Sequence, residues 1–123
     1  MTSTTAPLPD VAGLDLAATL ANMGGNAALL RRLARLFIEQ HGADVSRIDA
    51  ALGDRDFGLA LHLVHALRGT AGNLGAPRVH AAARAFENEL KAREREPSGA
   101  PAELAAAMAE LVPALTDWLT APA

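Results

Sequence analysis

Leu14, Leu16, Ala17 and Leu20 put apolar side chains on one side of a single short helix, which Gly24-Gly25 would stop before Asn26 caps the next. From there Leu30, Leu33, Phe37, Ile48 and Leu52 stay at helical spacing across Gly42, so the pattern predicts one long helix, kinked at Gly42 and closed by Gly53. Asp54 or Asp56 is placed to cap a third helix running to Leu74, where Gly75 supplies a left-handed stop. Pro77 then starts a fourth, with Val79, Ala83, Phe86 and Leu90 on one stripe and the charged segment Lys91 to Glu96 at its end. Beyond a Pro97 to Pro101 loop, Leu104, Met108, Leu111, Leu115 and Leu119 define a last helix, which Pro113 should bend or divide and which carries Trp118 near its end. Each stripe is too narrow to be buried on all sides. The expectation is therefore an all-α fold, an antiparallel up-and-down four-helix bundle with a short N-terminal cap helix. Residues 1–13, rich in Thr, Ser, Ala and Pro without periodicity, read as a flexible tail or linker, and residues 14–120 as the bundle.

Composition supports that class and removes others. Ala contributes 29 residues and Leu 19 of the 123, against only 7 Val and Ile together, a bias towards helix formers over β-branched residues. One domain is the natural content of a chain this long. Without Cys there is no disulfide framework, thiolate nucleophile or Cys-ligated zinc. A formal charge of -3 disfavours nucleic acid as a general partner. No apolar run approaches the roughly 20 residues of a membrane span, and Met1 to Asp10 does not resemble a signal peptide, so a cytoplasmic location is expected.

The third expected helix is unusual. Projected at about 100° per residue, Leu63, Leu67, Thr70, Ala71 and Leu74 fall on one side, as a core-facing stripe should. Opposite lie Gly58, His65, Gly69 and Gly72, flanked by Leu61, His62 and Arg68. Each mid-helix Gly costs roughly 1 kcal/mol relative to Ala, the default residue of this chain. Close approach of a neighbouring helix would explain Gly69 and Gly72, but they share the face of His65 and not that of the leucines. The phase therefore favours an external partner reaching the imidazole.

The run HALRGTAGNLGA, from His65 to Ala76, resembles the signature of histidine-containing phosphotransfer (HPt) domains, in which the His is followed at i+3 by Lys, at i+4 by Gly and then by Leu-Gly. The layout of the rest is similar too: Leu14 through Gly24-Gly25, the Leu-rich helix with Phe37, the Gly-Asp before the third helix, and the Ala-rich helix with Phe86-Glu87. Arg68 stands where the family usually has Lys, which keeps the charge but exchanges a point ammonium for a planar fork.

The resemblance implies a phosphorelay intermediate: His65 takes a phosphoryl group from a receiver-domain aspartyl phosphate and hands it to the aspartate of another receiver. Imidazole suits this task because a useful fraction of it is unprotonated near neutral pH. Glu87, about one residue out of phase with its helix's apolar stripe, should border the groove between the third and fourth helices. The resemblance implies the rest, since similar HPt domains place a Gln or Glu at this spacing from the active His to hold Nδ1-H and orient the ring. A solvated ion pair with Lys91 at i+4 or Arg84 at i-3 is the plain alternative for Glu87. Arg68 would set positive charge beside the phosphoryl oxygens. Gly58, Leu61, His62, Gly69 and Gly72 would form the docking surface for receivers, those of a hybrid sensor histidine kinase included. The protein would have no cofactor of its own, since Mg²⁺ comes with the receiver. Nor would it be an enzyme, because no phosphate-cradling GxxxxGK[ST] loop, GxGxxG turn or Ser/His/Asp elbow appears.

Two other readings stay open at this level. The same face would serve a module that binds a receiver or kinase domain without covalent transfer. A three-His metal site from His62, His65 and His80 is conceivable, although bundle metal sites usually face inward, so no metal is expected. His41 and His80 read as surface or boundary residues, and the chain as a monomer. A free-standing protein and a terminal piece of a larger hybrid sensor kinase are both compatible with this sequence.

Overall fold

The computed structural model describes residues 11–93 and 99–121. Every regular element among them is helical: α1 (Leu16–Asn22), α2 (Ala27–His41), α3 (Asp44–Gly53), α4 (Phe57–Leu74), α5 (Pro77–Arg93) and α6 (Ala100–Thr120). Three of the starts follow side-chain caps. Asp15, Asn26 and Asp56 each accept a hydrogen bond from the backbone N–H three residues on, at 3.0–3.1 Å, and so satisfy one of the free donors at the starts of α1, α2 and α4. Of the two expected candidates for the α4 cap, the residue used is Asp56.

The long helix expected across Gly42 is two helices. Gly42 N–H still bonds to the Ile38 carbonyl at 2.9 Å, but Ala43, with ψ at 7°, breaks the ladder before Asp44 begins α3. A side chain at Gly42 would press on the Ile38 carbonyl oxygen, so the break needs Gly there. Asp44, buried at the start of α3, lies 2.6 Å through Oδ2 from Nδ1 of His41. His41 is thus a buried residue and not a surface or boundary one, and its Nε2 meets Thr70 Oγ1 of α4 at 3.1 Å. A buried polar pair thus pins the junction between α2 and α3.

At the other end of α4, Gly75 has φ 82° and ψ 38°, the left-handed conformation expected. Its carbonyl accepts from Asp15 N at 2.7 Å, and Thr19 Oγ1 donates to the Leu74 carbonyl at 3.1 Å, which ties α1 to the α4–α5 turn. The Pro97 to Pro101 loop is shorter than expected at its far end. Pro101 sits in the first turn of α6, where its missing N–H costs nothing, whereas Pro97 and Ser98 lie outside the described residues. Pro113 removes one ladder bond but does not divide α6.

The core is built from the predicted stripes: Leu30 and Phe37, Ile48, Leu63 and Leu67, Val79 and Phe86, Leu104, Leu111 and Leu115 are buried. α4 packs most extensively on α5, and α5 in turn on α6; α3 lies on α4, and α2 bridges α4 and α6. Arg31 of α2 fastens the end of α6, stacking over Trp118 at 5.1 Å and donating to the Leu119 carbonyl at 2.8 Å. Of the segment expected as a tail, residues 1–10 lie outside those described, while Val11 is buried against the core and so belongs to the packed unit. Among the described residues no helix is long and apolar enough to cross a membrane.

Candidate functional site

The phase of α4 decides what its middle presents. With Leu63, Val64 and Leu67 committed to the core, His65 turns outward, its side chain 58% exposed. Gly69, one turn further, has nothing beyond its chain neighbours and its own helix's backbone within 4 Å of where a Cβ would stand, so the strip beside the ring is bare. Gly58 and His62 are also exposed on α4 and Leu61 is half-buried, which leaves these candidate docking residues on an open surface.

Glu87 reaches the ring from α5. Phe86 anchors that helix in the core, and the next residue falls on the seam with α4, where Oε2 lies 2.6 Å from His65 Nδ1. An ionised carboxylate only accepts, so Nδ1 carries the proton and Nε2 of the neutral ring keeps its lone pair. Glu87 is only 3% exposed and holds two cations besides: Arg68 Nε at 2.9 Å from Oε1 and Lys91 Nζ at 3.3 Å from Oε2. The Lys91 pair of the plain alternative exists, but its carboxylate is buried and shared, not solvated. Burial by itself would raise the Glu87 pKa. The hydrogen bonds of His65 and Lys91 and the charges of Arg68 and Lys91 outweigh it, so this carboxyl titrates below its ordinary range.

Arg68 is one-third exposed and lies against the carboxylate. Its Nε–H is not aimed at Oε1, so the contact is coulombic and not a directed hydrogen bond. Its Nη2 stands 3.5 Å from His65 Nδ1, a nitrogen whose own proton faces Glu87, so no bond forms there either. In this conformation the guanidinium serves Glu87 on the Nδ1 side of the ring.

Gly72 has a role that phase alone did not give. A Cβ there would come within 3.0 Å of Nδ1 and 3.3 Å of Cε1 of His80, so this glycine admits a neighbouring helix's ring, the internal use that the sequence disfavoured. His80 is correspondingly half-buried and bonded through Nδ1 to the Arg68 carbonyl at 3.0 Å. Lys91 was visible in the sequence only as a neighbour of Glu87. No three metal-ligating side chains converge among the described residues, so His62, His65 and His80 form no such cluster.

The Hpt domain family model matches residues 32–121, most of the chain, and the chain belongs to that family. The match begins inside α2 and leaves α1 outside it. No curated protein and no solved structure matches. Hpt domains are phosphocarriers that work with receiver domains, and membership assigns this chain to phosphotransfer in a phosphorelay.

Proposed function

We propose that His65 is the phosphoryl acceptor, taking the group from an aspartyl phosphate on one receiver domain and passing it to the aspartate of another. The observation that carries this reading is an imidazole 58% exposed in mid-helix, its Nδ1 held at 2.6 Å by a carboxylate that is itself buried. Nε2 attacks the phosphorus in line. The N–P bond forms as the P–O bond to the donor aspartate breaks, and the electron pair leaves on that carboxylate. The ring, protonated at Nδ1, becomes cationic as it bonds to phosphorus, and Glu87 lies where that charge develops. Return to a second receiver reverses these events at Nε2. The receiver supplies Mg²⁺, and this chain contributes the nucleophile and its orientation.

Arg68 turns from Glu87 towards the phosphoryl oxygens once they are present, and Gly58, Leu61, His62 and Gly69 form the surface on which a receiver docks; Gly72 contributes room for His80 before it contributes to that surface. The packing of α2 with α3, α4, α5 and α6 on one another supports an antiparallel four-helix arrangement with α1 as its cap. The chain acts in the cytoplasm, as a monomer.

Incubation with a phosphorylated receiver tests the reading. Wild type should gain an acid-labile phosphoryl adduct, and His65→Gln, which alters an exposed side chain, should keep the helical signal and gain none. Adduct formation on His65→Gln would remove His65 from its role. Binding of the receiver without any adduct on wild type would favour a non-covalent regulatory module.

A further inference from the structure

We propose that His80 is a positioning residue for His65: a latch that sets the register of α5 against α4 and so brings Glu87 to the imidazole. The inference rests on the phosphoryl-acceptor reading only for its effect on transfer.

Three observations carry it. First, a carbonyl oxygen can only accept, so the 3.0 Å contact between His80 Nδ1 and the Arg68 carbonyl fixes the proton on Nδ1. A carbonyl has two lone pairs, and this one accepts from α5 as well as serving its own helix. Secondly, the ring lies so close to Gly72 that even a methyl group there would meet Nδ1 at 3.0 Å, which makes the glycine a socket for the latch. Thirdly, His80 and Glu87 are seven residues apart, two turns along one face of α5, and on α4 the socket at Arg68 and Gly72 lies one and two turns beyond His65. The His80 contact and the Glu87 contact are therefore two rungs on the same seam, between the two helices that pack most extensively. A slip of α5 by a few tenths of an ångström at the first rung is delivered to the 2.6 Å contact at the second. His80 touches neither His65 nor the phosphoryl group, so its effect is on position alone.

The test reads His65 directly, in the unphosphorylated full chain, from the ¹⁵N signals of its ring at fixed pH. In wild type the proton should sit on Nδ1. His80→Ala should move the ring towards a mixture of tautomers and slow transfer from a phosphorylated receiver by about 3- to 10-fold, a fraction of what a full 1 Å misplacement costs. His80→Asn keeps an N–H donor near the position of Nδ1 and should restore both readouts most of the way. Gly72→Ala should reproduce the Ala effect by pushing the ring out of its socket, and combining it with His80→Ala should add little, because the two changes break one contact. Wild-type His65 signals in His80→Ala would overturn the proposal, as would a slower transfer with those signals unmoved or an Asn variant no better than Ala. A wild-type protein that takes no phosphoryl group would sink the function reading instead, and the His65 signals would still decide the latch.

Discussion

Glu87 offers the sharpest quantitative test, because two substitutions separate its charge from its hydrogen bond. Its Oε2 accepts from Nδ1 at 2.6 Å, the short distance of a charge-assisted bond, at a site 3% exposed where water cannot replace the carboxylate. A hydrogen bond to a charged group contributes about 1.5–3 kcal/mol, more than a neutral one at about 0.5–1.5 kcal/mol. Glu87→Gln keeps an acceptor oxygen in a side chain of the same shape, so it should lose only the charge-assisted part, about 1–1.5 kcal/mol, or a 5- to 10-fold slower transfer. Glu87→Ala loses the whole bond and frees the ring to turn, so about 1.5–3 kcal/mol and a 10- to 150-fold slower transfer are expected. Removing the carboxylate also leaves Arg68 and Lys91 without it. Lys91 is largely exposed and Arg68 one-third exposed, so both regain water and the helical fold should persist. The assay is the initial rate of label transfer from a phosphorylated receiver below saturation, with circular dichroism to confirm folding. Equal rates for wild type, Gln and Ala would refute the argument that Glu87 orients His65 and stabilises its developing charge. A Gln variant as slow as Ala would place the whole effect in the charge and none in the orientation.

Two further outcomes concern stability. Because the Glu87 carboxyl titrates below the ordinary value of 4.5, its ionised form stabilises the native state above that value, and the contribution is lost as pH falls through the lower folded value. Wild type should therefore lose stability to urea more steeply than Glu87→Gln on acidification below about pH 4.5, and parallel curves would show that the shift is absent. Gly75→Ala puts a side chain at φ 82°, where its Cβ would overlap Thr19 Oγ1, so strain of about 1–3 kcal/mol plus the loss of the Thr19 to Leu74 hydrogen bond should lower the urea midpoint; a change under about 0.5 kcal/mol would refute this account of the α1 contact.

Local signals were legible wherever one residue decides the structure. Asn26 as a cap, Asp56 as one of two cap candidates, Gly75 as a left-handed stop and the leucine phase of α4 all follow from the backbone needs of one helix, and that phase is what turns His65 outward. What escaped the sequence depends on two elements meeting. The break at Gly42 escaped because it is held by a buried polar pair, Asp44 with His41, which hydrophobic periodicity does not register. Gly72 sits on the outward face of α4 by phase, yet α5 crosses that face with His80, and the angle of one helix on another is not written in either alone. Arg68 could be placed one turn from His65 by counting. That it rests on Glu87 follows from the position of α5, which counting along α4 cannot supply.

The bare strip at Gly69 and the exposed ring beside it also bear on what kind of messenger this fold makes. On the proposed chemistry, no lid has to open and no loop has to fold for the nitrogen to be reached, since the ring stands on a rigid rod with clear space to one side. Between the charged and uncharged forms of such a carrier the backbone would stay as it is, and the change would be confined to side chains such as Arg68. Its message would then travel as a covalent group and the side chains beside it, and any selectivity in who reads it would lie in the visitor's fit to a fixed backbone surface.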